Sequence, residues 1–262
     1  RSSVPRALFR KLASQARKES RKALADSWSH VLWSCPRMVW SMDITEMAFN
    51  GRKFFILQTM DMTTKHRFEP LIGAEMFNGE EVAGHAVWLY AKYGAPLFQK
   101  RDNGGNLNAQ TMREVLSNHC VIPLNSPPYY PRYNGTMEHA QNELQVEVER
   151  IVAAEGISTE EGFVGALHRA THSLNHKRRP ILHGETSCFN WSRNIPAQYS
   201  KQQREEAQRW IEDLAMDIAQ DSTCNDKDLW FTKAWRVAVE AWLVKNRFIS
   251  VTKPEEVLPI SA

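Results

Sequence analysis

Three acidic residues carry the chemistry this sequence could do. Asp43 lies inside a β-branched and aromatic run, Trp40-Ser41-Met42-Asp43-Ile44-Thr45. Burying a carboxylate among such neighbours is costly unless something positive pairs with it. Asp102 closes a second run, in Arg101-Asp102-Asn103-Gly104-Gly105. The ends of strands in α/β sheets are common seats of functional groups. Glu138 follows a loop of prolines and tyrosines and opens a helical pattern. Singly, each has an ordinary reading: an edge-strand acid, an Asp-Asn-Gly turn, an acid favouring a helix dipole. Together, two Asp on neighbouring strands and a Glu on a helix form an oxygen-rich set. Mg²⁺ binds through one or two carboxylates and keeps several waters. Two such ions roughly 3.5–4 Å apart can serve the attacking and the leaving oxygen of a phosphoryl transfer.

The elements that must position these acids are legible from pattern. Residues 5–26 read as a basic helix, ended before Pro36. Met38–Phe49 and Lys53–Met62 read as strands joined by Asn50-Gly51, a strong hairpin signal. A third strand is expected over Arg67–Ala74. Asn78–Tyr93 is expected as a helix, with Val82, Ala86, Leu89 and Tyr93 at three- and four-residue steps, Asn78 as cap and Gly94 as terminator. Strand Leu97–Arg101, helix Leu107–Leu116 and strand Val121–Leu124 follow. A long helix runs from about Asn134 to Ala154 with the apolar stripe Met137, Ala140, Leu144, Val148 and Ile151. Another covers Glu160–Asn175. This order predicts a mixed sheet flanked by helices. Past Lys177 the chain reads as irregular. Two amphipathic helices follow, around Ala207–Ile218 and Trp235–Leu243, then a strand and tail over 247–259. Three regions result: a basic helical segment 1–35, a catalytic core 36–190, and a mainly helical region 191–262.

Composition narrows the partners. The net charge is only +3, yet residues 1–30 hold eight basic residues against Glu19 and Asp26. Arg10, Lys11, Arg17 and Lys18 are the candidates there for a polyanion such as DNA, the alternative being a solvated helix. The four cysteines form no Cys-x-x-Cys pair, which argues against a zinc ribbon or disulfide framework. No apolar run reaches the roughly 18 residues of a membrane span. The chain opens on Arg1 rather than Met, which implies a longer natural protein.

Thirty-five residues separate Asp102 from Glu138. With that interval, Val39–Thr45, Arg101–Gly105 and Ser126-Pro127-Pro128-Tyr129-Tyr130-Pro131-Arg132-Tyr133-Asn134-Gly135-Thr136-Met137-Glu138 resemble the Asp, Asp, thirty-five, Glu family. That family comprises retroviral integrase cores and bacterial insertion-sequence transposases. Asp61-Met62-Thr63-Thr64-Lys65 resembles its second-strand signature, and Asn175–Pro180 is a weaker echo. The resemblance spans about residues 36–190. It implies a ribonuclease H-like α/β fold, a five-stranded mixed sheet flanked by helices, here with helical N- and C-terminal extensions. It implies two Mg²⁺ (or Mn²⁺) ions held by Asp43, Asp102 and Glu138. It also implies DNA-end cleavage and strand transfer into target DNA by a homo-oligomer without a membrane. The setting would be intracellular: cytoplasm or nucleoid in a bacterium, nucleus in a eukaryote. A ribonuclease H-like nuclease without strand transfer, or a domesticated non-catalytic DNA-binding protein, are the alternatives.

Departures from the family concentrate on DNA recognition. Where relatives carry Lys after the Glu, this chain has Asn142 and Gln145; Leu174 and Ile181 stand for Tyr and His. Asn142, Lys100, Arg132 and Tyr130 remain candidates for DNA contact, with Tyr129 and Tyr133 beside them; loop packing and surface charge are the alternatives. His168, His172 and His176 share a helix face, which suits a polar or DNA-facing stripe better than a metal site. Trp210, Trp230, Trp235 and Trp242 read as core of a C-terminal helical unit, with a winged-helix-like DNA module as the rival.

Overall fold

A computed structural model describes residues 30–102, 104–125, 135–195, 199–220 and 227–252. The basic helix expected over 5–26, the Pro/Tyr loop 126–134 and the tail beyond 252 lie outside the described residues. The strands are β1 (His30–Trp33), β2 (Val39–Phe49), β3 (Arg52–Asp61), β4 (Leu71–Gly73), β5 (Phe98–Arg101), β6 (Ile122–Asn125) and β7 (Ile249–Thr252). The helices are α1 (Gly79–Tyr93), α2 (Gln110–Asn118), α3 (Gly135–Glu155), α4 (Glu160–His176), α5 (Ser187–Arg193), α6 (Lys201–Gln220) and α7 (Lys227–Lys245).

Five strands form one mixed sheet in the order β4-β3-β2-β5-β6. β2, β3 and β4 are antiparallel neighbours, whereas β2/β5 and β5/β6 are parallel. The β2–β3 hairpin turns at Asn50 (φ 48°) and Gly51 (φ 78°). Both angles are positive, as a two-residue primed turn requires. α1 is held by a reciprocal capping box between Asn78 and Glu81 and stops at Gly94, whose φ is 81°. The strand expected over Arg67–Ala74 is only Leu71–Gly73, with an isolated bridge at Arg67. Pro70 lacks the N–H that would continue the ladder.

Side chains alternate across a strand, so the odd-numbered residues of β2 share one face. On that face Val39 packs with Phe98, Ile122 and the buried residues of α6 and α7. At the far end, Met47 and Phe49 pack with Leu144, Val148 and Ile151 of α3 and with α4. Asp43 lies between these two helical covers. The opposite face, with Trp40, Met42 and Leu57, is covered by α1 and α2. The buried stripe of α3 is Met137, Ala140, Leu144, Val148 and Ile151.

Two features were not expected from sequence. α5 forms within the stretch read as irregular, started by Thr186, which accepts from the Phe189 N–H. β1 pairs antiparallel with β7, closing the described chain into a two-stranded ribbon. The C-terminal helices share the sheet's own core: Trp242 lies 5.3 Å from Phe98 between ring centres, and Trp235 Nε1 donates to the Pro123 carbonyl. Among the described residues no helix is long and apolar enough to cross a membrane.

Candidate active site

Register brings the two aspartates together. Met42 and Arg101 are partners on the parallel strands β2 and β5. Asp43 and Asp102 each follow by one residue, and so stand side by side on the face shared with α3. Asp43 Oδ1 accepts from the Ile44 N–H at 2.9 Å, and Oδ2 accepts from Gln141 Nε2 at 2.9 Å. Burial and the neighbouring charge of Asp102 push the Asp43 carboxyl up to about 6, against the pull of those two hydrogen bonds and of Lys100. Such a pair of carboxylates favours a cation between them.

Asp102 is fixed by its loop. Its Oδ1 accepts from the Gly104 N–H at 2.8 Å. A Cβ on residue 104 would stand 3.0 Å from that oxygen, so a larger residue there would push the Asp102 carboxylate aside by a few tenths of an ångström. Asn108 donates to the Asp102 and Gly104 carbonyls, and accepts from Asn125 at the end of β6. Arg101, buried on the other face, donates to the Leu107 carbonyl and to Asn125. The strand end that carries Asp102 is thereby tied to both neighbouring loops.

Lys100 is not on the surface, as a phosphate contact would require. It is 1% exposed, two residues before Asp102 and on the same face of β5. Burial lowers its ammonium to about 8, opposed by the charges of Asp43, Asp102 and Glu138 in that order. One buried cation therefore feels all three acids. It is the positive partner that a mid-strand Asp43 needs.

Glu138 lies in the first turn of α3, exposed, three residues before Gln141. On a helix that spacing puts both on neighbouring parts of one face. Among the described residues no three His, Cys, Asp or Glu side chains stand close enough to hold one ion. Asp43 and Asp102 act on each other directly, while Glu138, exposed on α3, meets them through the charge it presents to Lys100. Two carboxylates with open water-facing positions suit a hard divalent cation, which needs one or two.

The other sequence candidates are dispersed. Asn142 is exposed on α3, one turn past Glu138. Arg10, Lys11, Arg17, Lys18, Tyr130 and Arg132 lie outside the described residues. His168, His172 and His176 line the exposed side of α4, where the rings of His172 and His176 stack at 4.2 Å. Gln141 was missed by sequence reasoning. Its signal was its spacing from Glu138 on the α3 face that borders the buried stripe.

Comparison with known proteins bears on this arrangement. The HTLV-2 integrase catalytic core, solved in complex with magnesium in a trimeric form, superposes with a TM-score of 0.51 at 15% identity. The match covers 59% of this chain and 96% of that one. This chain has the fold of a retroviral integrase catalytic core. The simian T-cell lymphotropic virus intasome, solved with the PP2A regulatory subunit B56 gamma, aligns at a TM-score of 0.57 and 17% identity, covering 66% and 62% of the two chains. In sequence, the Gag-Pro-Pol polyprotein of simian retrovirus SRV-1 is 27% identical over 143 residues, which are 53% of this chain. The chain matches only 8% of that polyprotein's length. No family model matches the sequence.

Proposed function

We propose that this chain is a polynucleotidyl transferase of the integrase type, cutting DNA ends and joining their 3′-hydroxyls to a target strand. The observation that carries the reading is the placement of Asp43 and Asp102 one residue beyond the paired Met42 and Arg101 of two parallel strands in an integrase-type sheet, with Gln141 of the Glu138 helix bonded to Asp43. Asp43, Asp102 and Glu138 would hold the divalent ions, Mg²⁺ or Mn²⁺. Such ions supply Lewis-acid activation of the attacking oxygen and charge stabilisation at the leaving one.

The chain's own groups do the rest. Gln141 orients the Asp43 carboxylate by a hydrogen bond to one oxygen and leaves lone pairs facing the site. The Gly104 N–H does the same for Asp102. Lys100 offsets part of the acids' repulsion from beneath. The basic residues of 1–29 would hold DNA backbone, so affinity would fall as salt rises. Assembly as a homo-oligomer follows from the need to hold two ends together.

A joining assay tests this. Duplex DNA with recessed 3′-hydroxyl ends is incubated with the chain in Mg²⁺ or Mn²⁺. Joined products that disappear in Asp43→Asn, Asp102→Asn and Glu138→Gln support the reading. Cleavage with no joined product would make the chain a nuclease of the same fold. Joining that survives loss of an acid would remove that acid from the mechanism.

A further inference from the structure

A buried guanidinium outside the carboxylate site links the strand facing Asp43 to the helix carrying Glu138. Arg67 is 5% exposed and lies in the segment between β3 and β4. Its Nη1 donates to the Ala140 carbonyl at 2.6 Å and to Gln58 Oε1 at 3.3 Å. Gln58 is the cross-strand partner of Asp43 on β3. Ala140 sits between Glu138 and Gln141 on α3. One guanidinium nitrogen therefore touches both the sheet position opposite the first acid and the helical turn that carries the third.

The second nitrogen continues the link. Arg67 Nη2 donates to Glu143 Oε2 at 2.8 Å, and Arg179 Nη1 approaches the same oxygen at 3.0 Å. The Arg67 backbone is held in turn by Asn175 of α4: its N–H donates to Asn175 Oδ1, and Asn175 Nδ2 donates to its carbonyl. Beneath this polar network, Met60 of β3 packs on Met137 and Ala140. That apolar contact is small and would not by itself fix the rotation of α3 about its axis. Directional hydrogen bonds can. The network is also local: the remaining length of α3 is held by Leu144, Val148 and Ile151 at the other end of the sheet.

We infer that Arg67, with Glu143 as its partner, is a positioning residue that sets the first turns of α3, and through them Glu138 and Gln141, against Asp43. The inference rests on the integrase-type reading for its consequence in catalysis, but not for its structural content. The clamp makes the Glu138 turn rigid relative to β2, so that less ordering cost remains when a cation binds.

Hydrogen exchange and metal titration together test it. In Arg67→Met and in the milder Glu143→Gln, amide protection of residues 135–145 should fall at least tenfold, while α1 and the C-terminal half of α3 keep theirs. The Mn²⁺ concentration for half-maximal joining should rise about tenfold, with the rate at saturating Mn²⁺ reduced far less. Leu89→Ala, a core truncation under α1 on the opposite face, should leave both readouts near parent values at 135–145. Unchanged protection at 135–145, or loss spread evenly over all helices, would overturn the inference, as would an unchanged Mn²⁺ requirement alongside local loss. Were the parent chain to show no joining, the proposed function would fall, while the exchange comparison would still decide the clamp.

Discussion

Neutralising Asp43 should stabilise the metal-free protein while abolishing its activity. The Asp43 carboxyl stands at about 6 in the folded chain, against 3.8 for the ordinary group. A gap of roughly two pKa units at about 1.4 kcal/mol each is about 3 kcal/mol of folding stability forgone once both states are ionised. The amide introduced by Asp43→Asn carries no such charge. It keeps an oxygen for the Ile44 N–H, and Gln141 can turn its own amide to match. The pull of Lys100 is already contained in the value of about 6, and imperfect replacement of the carboxylate's hydrogen bonds by the amide leaves a gain of about 1–3 kcal/mol. At roughly 2–4 °C per kcal/mol for a chain of this size, the melting temperature should rise by about 2–12 °C. The pH dependence fixes the cause. Below about pH 4 the carboxyl is protonated in both states and the variant has no advantage. Between pH 4 and 6 the unfolded chain releases the proton first, and the parent loses stability relative to the variant. Above 6 the difference is constant. Thermal unfolding with EDTA at pH 5 and pH 8 measures this directly. Adding Mg²⁺ should raise the parent's melting temperature and leave Asp43→Asn nearly unmoved. A variant no more stable than its parent at pH 8, or one whose advantage ignores pH, would refute the reasoning.

Other outcomes follow from the same contacts. Gln141→Ala removes the donor to Asp43 Oδ2, so Asp43 should titrate higher still. The acidic limb of the joining–pH profile should move upward, and the metal requirement near pH 7 should rise about tenfold, from roughly 1.5 kcal/mol for a hydrogen bond to a charged group. Trp242→Ala should cost about 3–5 kcal/mol. Because Trp242 packs on Phe98 of the central sheet, calorimetry should show one weakened transition rather than separate melting of the C-terminal helices. Deleting residues 1–29 should lower the salt dependence of DNA binding between 50 and 200 mM by several units of log–log slope.

What was legible in the sequence was whatever short-range pattern decides. Asn50-Gly51 fixed the first hairpin, and with it the facing of Asp43. The stripe from Met137 to Ile151 fixed which side of α3 is buried, leaving Glu138 at the seam. The run ending in Arg101-Asp102 placed the second acid at a strand end. Contacts between distant segments were not legible. β1 is four residues whose partner lies more than two hundred residues later, and no local period announces it. α5 is too short to show a helical period. Lys100 reads as a surface charge because its neighbours in sequence, Arg101 and Asp102, are charged. Only the sheet shows that it points under the acids. Arg67 falls in a stretch that resembles a strand until Pro70 breaks the ladder, and nothing near it in sequence marks its side chain as the partner of a helical turn 73 residues later.

The proposal that Asp43, Asp102 and Glu138 hold the divalent ions is tested most directly by Mn²⁺ binding to the DNA-free protein, followed by electron paramagnetic resonance. Saturable binding should be seen in the parent at pH 7.5, lost in Asp43→Asn and in Asp102→Asn, and weakened in Glu138→Gln. Equal Mn²⁺ affinity in the parent and all three variants would contradict the account.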